Sequence, residues 1–153
     1  MKVQLNTIRV TPAVQAAAYA GGDVIGGKMT FTGLAKDNRA GYITGAIVSF
    51  KDVLPTQILD LFIFGTDPTN STFTENAAID INVADFAKLL GVIQVAAADW
   101  IGDAAGAVAT KTPKIPFKGT AGEEIYAVGV IRGTGITPAS TSSMSIALTG
   151  DQN

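Results

Sequence analysis

A chain of 153 residues, 47% hydrophobic and only 16% charged, is long enough to bury a core without disulfide or metal staples. Its net charge of −2 and sequence pI near 4.9 give no general attraction to nucleic acid or to an anionic membrane. With no Cys and no His, it cannot build thiol nucleophiles, thiolate zinc sites, iron–sulfur clusters, Ser-His-Asp triads or histidine metal centres, while carboxylate chemistry remains possible.

The N-terminal run MKVQLNTIRV has one early lysine and no apolar stretch of secretory length, so synthesis in a cytoplasm is expected. Val3 to Val10 alternates weakly as a strand, and Ala16-Ala17-Ala18 reads equally as a turn of helix or as part of an extended arm. Residues 1–20 are therefore either an arm or a first strand. The segment GGDVIGGKM, Gly21 to Met29, has the glycine–lysine spacing of a phosphate-binding loop from its second glycine. Met29 stands where that loop needs a magnesium-binding hydroxyl, and the Met-Thr-Phe-Thr that follows Lys28 forms strand, not helix. The segment reads as a glycine-punctuated turn entering a strand from Val24 to Phe31.

Gly41 to Phe50 is a strong strand, ended by Lys51-Asp52. Ile58-Leu59-Asp60 leads into Leu61 to Phe64, apolar on both faces as in a sandwiched strand. The loop Gly65 to Glu75 is polar, turns at Asp67-Pro68 and contains Asn70-Ser71-Thr72, an N-glycosylation pattern taken here as part of a turn. Asn82 to Leu90 sets Val83, Phe86, Ala87 and Leu90 on one helical face, with Asn82 as cap and Asp85 completing a weak capping box. This predicts one short helix crossing between sheets. Asp80, Asn82 and Asp85 lack EF-hand spacing, so the cap reading is preferred to a calcium site.

Gly91 to Ala98, Gly106 to Thr112 and Ile115 to Gly119 are weaker strands. Between them Trp100 either fills the core or anchors an interface, the core being the simpler reading. Lys111, Lys114 and Lys118 interleave with Pro113 and Pro116, as on an edge strand guarded against unwanted pairing. Glu123 and Glu124 are adjacent on a strand, point to opposite faces and make no carboxylate pair by themselves. Glu124 to Arg132 is apolar or small on both faces, which predicts a central strand. Gly133 to Ser143 is a second Ser/Thr-rich loop, and Met144 to Thr149 alternates cleanly. Eight or nine strands joined by frequent turns predict an all-β, antiparallel sandwich or barrel in a single domain, 1–153.

The runs AYAGGDVIGGKMTF, GYITGAIVSFKD, ILDLFIFGTDPTNSTFTENAAIDI, GVIQVAAADW and EEIYAVGVIRGTG, in that order, resemble a group of small tailed-bacteriophage virion proteins. The likeness rests on GGDVIGG at Gly21 to Gly27, LDLFIFGTDP at Leu59 to Pro68 and TFTEN at Thr72 to Asn76. It implies a jelly-roll β-sandwich that decorates or cements a phage capsid. The implied partners are the major capsid protein and copies of itself, as a dimer or trimer, with no nucleic acid, membrane, metal, cofactor or catalysis. The expected contact residues are Val3, Leu5, Ile8, Val10 and Tyr19 of an N-terminal segment that can add to a sheet edge, together with Phe73 and Trp100. Two other classes remain: a carbohydrate- or receptor-binding tail module using Tyr42, Phe73 and Trp100, and a carboxylate-only hydrolase, which would need two acids in one cleft.

Overall fold

The computed structural model describes residues 4–36, 39–119, 122–133 and 135–152. Within them are ten strands: β1 (Gln4–Val10), β2 (Val24–Thr32), β3 (Ala40–Lys51), β4 (Ile58–Phe64), β5 (Leu89–Val95), β6 (Ile101–Asp103), β7 (Gly106–Lys111), β8 (Ile115–Lys118), β9 (Glu124–Arg132) and β10 (Met144–Gln152). One sheet has six strands, in the order β1-β10-β3-β7-β6 with β8 also on β3, and the other has four, β2-β9-β4-β5. All pairs are antiparallel. The pairing is nested: β1 with β10, β2 with β9, β3 with β7 and β8, and β4 with β5. A long hairpin doubled at the β4–β5 connection and rolled, so that successive pairs fall in opposite sheets, is a jelly roll.

The expected strands are present, with β5 beginning two residues before Gly91 and Ala97–Asp99 forming a short 3-10 turn. The additional strand, β6, is too short for alternation to register. Period-two alternation builds the core: Met144, Ile146 and Leu148 of β10 and Val48 and Phe50 of β3 face Leu59, Leu61 and Ile63 of β4 and Ile125 and Ile131 of β9. Ala16-Ala17-Ala18 is not helical. It belongs to an extended arm whose backbone bonds Val14 N–H to Thr141 O, Tyr19 N–H to Ile136 O and Gly22 N–H to Ile131 O.

The central position expected for Glu124 to Arg132 holds, since β9 lies between β2 and β4. Its outward residues are buried for a second reason. The β4–β5 connection folds back over the four-stranded sheet and covers Val24, Phe64, Val128 and Val130 with Phe73, Ile79 and Ile81, forming a small second core.

The helix expected over Asn82 to Leu90 is corrected. A six-residue 3-10 helix, Val83–Lys88, lies within the connection between β4 and β5, neighbours in one sheet, and is no crossover between sheets. Its supposed inner face is outside: Val83 is 77% and Phe86 53% exposed. Asn82 does cap it, its side chain accepting from Ala84 N–H at 2.9 Å. Asp85 turns inward instead of completing a capping box. It accepts from Asn70 N–H at 2.9 Å and Ser71 Oγ at 2.6 Å and pairs with Lys88 at 2.7 Å. Polar bonds to a buried carboxylate, not an apolar stripe, hold this turn.

Candidate interaction surface

The glycine-rich segment does bind an anion, and the anion belongs to the chain. In β2 the pairing with β9 shifts register between Ile25 and Lys28, and Gly26 and Gly27 there adopt φ of 84° and 59°. Their N–H groups converge on Glu75 Oε2 at 2.5 and 2.9 Å. The other oxygen of Glu75 accepts from the Tyr19 hydroxyl and, at 3.2 Å, from Gln15 N–H. Lys28, the lysine of the apparent phosphate loop, pairs with Asp67 at 2.6 Å. Backbone groups of the kind that cradle a phosphate thus clasp a carboxylate, tying arm, β2 and β4–β5 connection together. Burial, reinforced by the bond to Glu75, pushes the Tyr19 hydroxyl well above its usual titration range.

Asp60, Asp99 and Asp85 are engaged separately. Asp60 accepts from Arg132 at 2.8 Å and Gln94 at 2.9 Å, and Asp99 pairs with Lys111 at 2.9 Å and accepts from Ala96 N–H at 2.7 Å. Lys111 holds the Asp99 carboxyl below its ordinary value. Asp85 is also low: burial would raise it, but Lys88, Ser71 and Asn70 outweigh burial. The Tyr126 hydroxyl, bonded to Glu124 and partly desolvated, is pushed up to about 12. No group of three or more His, Cys, Asp or Glu able to hold a metal occurs among the described residues.

The outer face of the six-stranded sheet carries exposed apolar residues. Register fixes its rows: Arg9, Ala147, Ile47 and Thr110 lie across β1, β10, β3 and β7, and Ser145, Ser49, Val108 and Ile101 across β10, β3, β7 and β6. Arg9, which reaches Ser145 Oγ at 2.8 Å, is the one charged residue of these rows, and their β3, β7 and β6 positions carry none. Ile101 is 74% exposed and Val108 39%. A shallow depression of about 320 Å³ opens at one end, where Tyr42, Gly41, Pro116 and Phe117 meet. Lys114 lies 5.3 Å from the centre of the Tyr42 ring.

The expected contact residues fall in different places. Val3 lies outside the described residues. Leu5 is on the outer face and 67% exposed, whereas Ile8 and Val10 turn inward and pack partly against the core. Tyr19, within the arm, is buried. Phe73 packs 6.0 Å from Phe64, ring centre to ring centre, in the second core. Trp100 is buried, edge-on to Phe50 at 5.7 Å, with its Nε1–H donated to Gln57 O at 3.0 Å, which is the core role. The aromatic cluster Tyr42, Phe73 and Trp100 is not assembled: Tyr42 faces out from one sheet, Phe73 covers the outside of the other, and Trp100 is interior. The guarded edge is present in β8, which pairs with β3 alone and carries Pro116 and Lys118. Ile101 and Val108 escaped sequence reasoning because β6 was too short to reveal which face they share.

No family model matches the chain, and no curated protein matches it. Among solved structures, a chain of infectious bursal disease virus Gx strain is 15% identical with a TM-score of 0.48, the match covering 99% of this chain and 32% of that one. A chain of the cyanophage Pam1 capsid asymmetric unit is 14% identical with a TM-score of 0.38, covering 99% and 85%. Dimeric latent PorU from Porphyromonas gingivalis is 7% identical with a TM-score of 0.42, covering 99% and 13%. The present chain thus spans about a third of the length of the infectious bursal disease virus chain. The jelly-roll assignment rests on the strand pairing described above.

Proposed function

We propose that this chain is a structural protein of a bacteriophage virion that decorates or cements the capsid, binding the major capsid protein and associating with its own copies. The observation that carries the reading is the outer face of the six-stranded sheet, whose rows hold small and apolar side chains across β3, β7 and β6, Ile47, Thr110, Ser49, Val108 and Ile101, with the charge of Arg9 confined to the β1–β10 side. Across those three strands such a face loses little by desolvation when it meets another protein, since no ion there must be stripped of water. The jelly roll around it supplies a rigid support, and the ordered resemblance from Gly21 to Asn76 points to the same class of protein. The separate engagement of Glu75, Asp60 and Asp99 fits a non-catalytic role, and the dispersal of Tyr42, Phe73 and Trp100 weighs against sugar recognition by an aromatic platform. Repetition over a shell turns weak single contacts into firm attachment when copies are linked.

The test is co-sedimentation with capsids of the source phage that lack this protein. Saturation at a fixed ratio to the capsid subunit is expected, and sedimentation of capsids alone would refute the role.

A further inference from the structure

We propose that β1 pairs antiparallel with β1 of a second copy of this chain, about a two-fold axis at Thr7, joining two six-stranded sheets into one. The inference rests on the reading of a self-associating protein and names the surface used. β1 pairs with β10 over all seven residues, and no other described backbone group bonds to it outside that ladder. Its outer edge is therefore a row of peptide groups open to another strand.

The remaining edges are defended. β6 is only three residues long, and β8 carries Pro116 and Lys118. β2 is interrupted by the register shift at Gly26 and Gly27 and bridged by Glu75. β5 is irregular where its pairing with β4 shifts register between Ile63 and Phe64. β1 has no lysine, proline or register shift and carries exposed Leu5. Arg9 is the one guarding charge it carries.

Charge selects the register and the occupant. In one copy Arg9 lies opposite Ala147 and Asp151 opposite Leu5, so the two are four residues apart along the ladder, about 13 Å. Arg9 bonds Ser145 Oγ at 2.8 Å, and neither Arg9 nor Asp151 makes an ion pair among the described residues. Asp151 is half-buried, and its Oδ1, itself buried, has no hydrogen-bond partner. Full overlap of Gln4–Val10 with itself pairs Thr7 with Thr7 and Arg9 with Leu5 of the second copy. Arg9 then enters the row that holds the second copy's Leu5 and Asp151. Two strand spacings, about 10 Å between Cα atoms, separate Arg9 from that aspartate, a gap the two side chains can close across Leu5. The symmetry makes the contact twice. A strand of another protein would fit the bare edge but not this self-complementary pattern of one cation and one anion.

The experiment is light scattering on the size-exclusion peak, with folding of each variant followed by circular dichroism. The wild type is expected to be a dimer. Arg9→Glu, which sets like charges in one row, is expected to raise its dissociation constant about tenfold or more, and Arg9→Glu with Asp151→Arg is expected to restore it. Leu5→Lys, a guard residue on the exposed face, is a second route to monomer should the charge variant not fold. A monomeric wild type, or a dimer indifferent to Arg9→Glu and to Leu5→Lys, overturns the pairing. Capsid co-sedimentation separates this from the capsid role: a monomer that saturates capsids removes the strand pairing and self-association and leaves capsid binding, and a dimer that ignores capsids removes only the capsid role.

Discussion

Gly26 donates its backbone N–H to Glu75 at 2.5 Å, across 49 residues of sequence, and only a glycine fits there. Its φ is 84°, and an added Cβ would lie 2.8 Å from Pro12 Cγ. Glu75→Ala would leave the N–H groups of Gly26 and Gly27 and the Tyr19 hydroxyl without their acceptor, for an expected loss of about 2–4 kcal/mol. Glu75→Gln, which keeps one acceptor oxygen, is expected to lose less. Urea denaturation with fluorescence of the sole tryptophan measures both.

The β4–β5 connection is pinned by Asp85, so Asp85→Ala is expected to free residues 65–88 to proteolysis while the sheets persist. Mass spectrometry of early cleavage products gives the readout. The pH dependence has a definite sign. The folded state holds Asp85 below its ordinary value of 3.8, so its stabilisation is complete above that pH and is lost as pH falls toward the folded value. Asp85→Asn is expected to flatten the acid limb of stability below about pH 4.

At the alkaline end the sign reverses. Burial and Glu75 raise Tyr19, so the neutral phenol stabilises the fold fully below its ordinary value of 10.0, and that contribution declines as pH rises further. Tyr19→Phe keeps the ring and removes the titrating group. It is expected to show a shallower loss of stability above pH 10.0 in denaturation series, with Tyr126 accounting for part of what remains.

Trp100 is a structural residue. Trp100→Ala empties a site against Phe50 and is expected to cost about 3–5 kcal/mol. Trp100→Phe, which retains most of the packing and loses the bond to Gln57 O, is expected to cost less, and neither variant should change capsid affinity once folded. Thermal melts beside binding assays distinguish stability from contact.

The strands were legible because alternation is a local property: Met144, Ile146 and Leu148 announce their face without knowledge of any partner. Apolarity on both faces of β9 also announced burial, although the cover over Val128 and Val130, a loop from another part of the chain, did not show. The Val83–Leu90 stripe misled for the same reason. Its spacing suits a helix, but the anchoring of that segment is decided by Asp85 meeting Asn70 and Ser71, which no periodicity records. GGDVIGGKM displayed the backbone logic of an anion site, and only the fold shows that Glu75 supplies the anion. Among the surface residues, Leu5 was found as a strand residue, while Ile101 needed the register of β6 on β7 to join Val108 on the same face.

The most direct measurement is the binding of wild type and Ile101→Lys to capsids of the source phage that lack this protein. Ile101 is on the surface, so the variant should fold with unchanged stability. The wild type is expected to saturate the shell at a fixed ratio and Ile101→Lys, which puts a cation at the uncharged β6 end of these rows, to bind at least about tenfold more weakly. A wild type that leaves the capsids bare, or a variant that binds as well as the wild type, would contradict it.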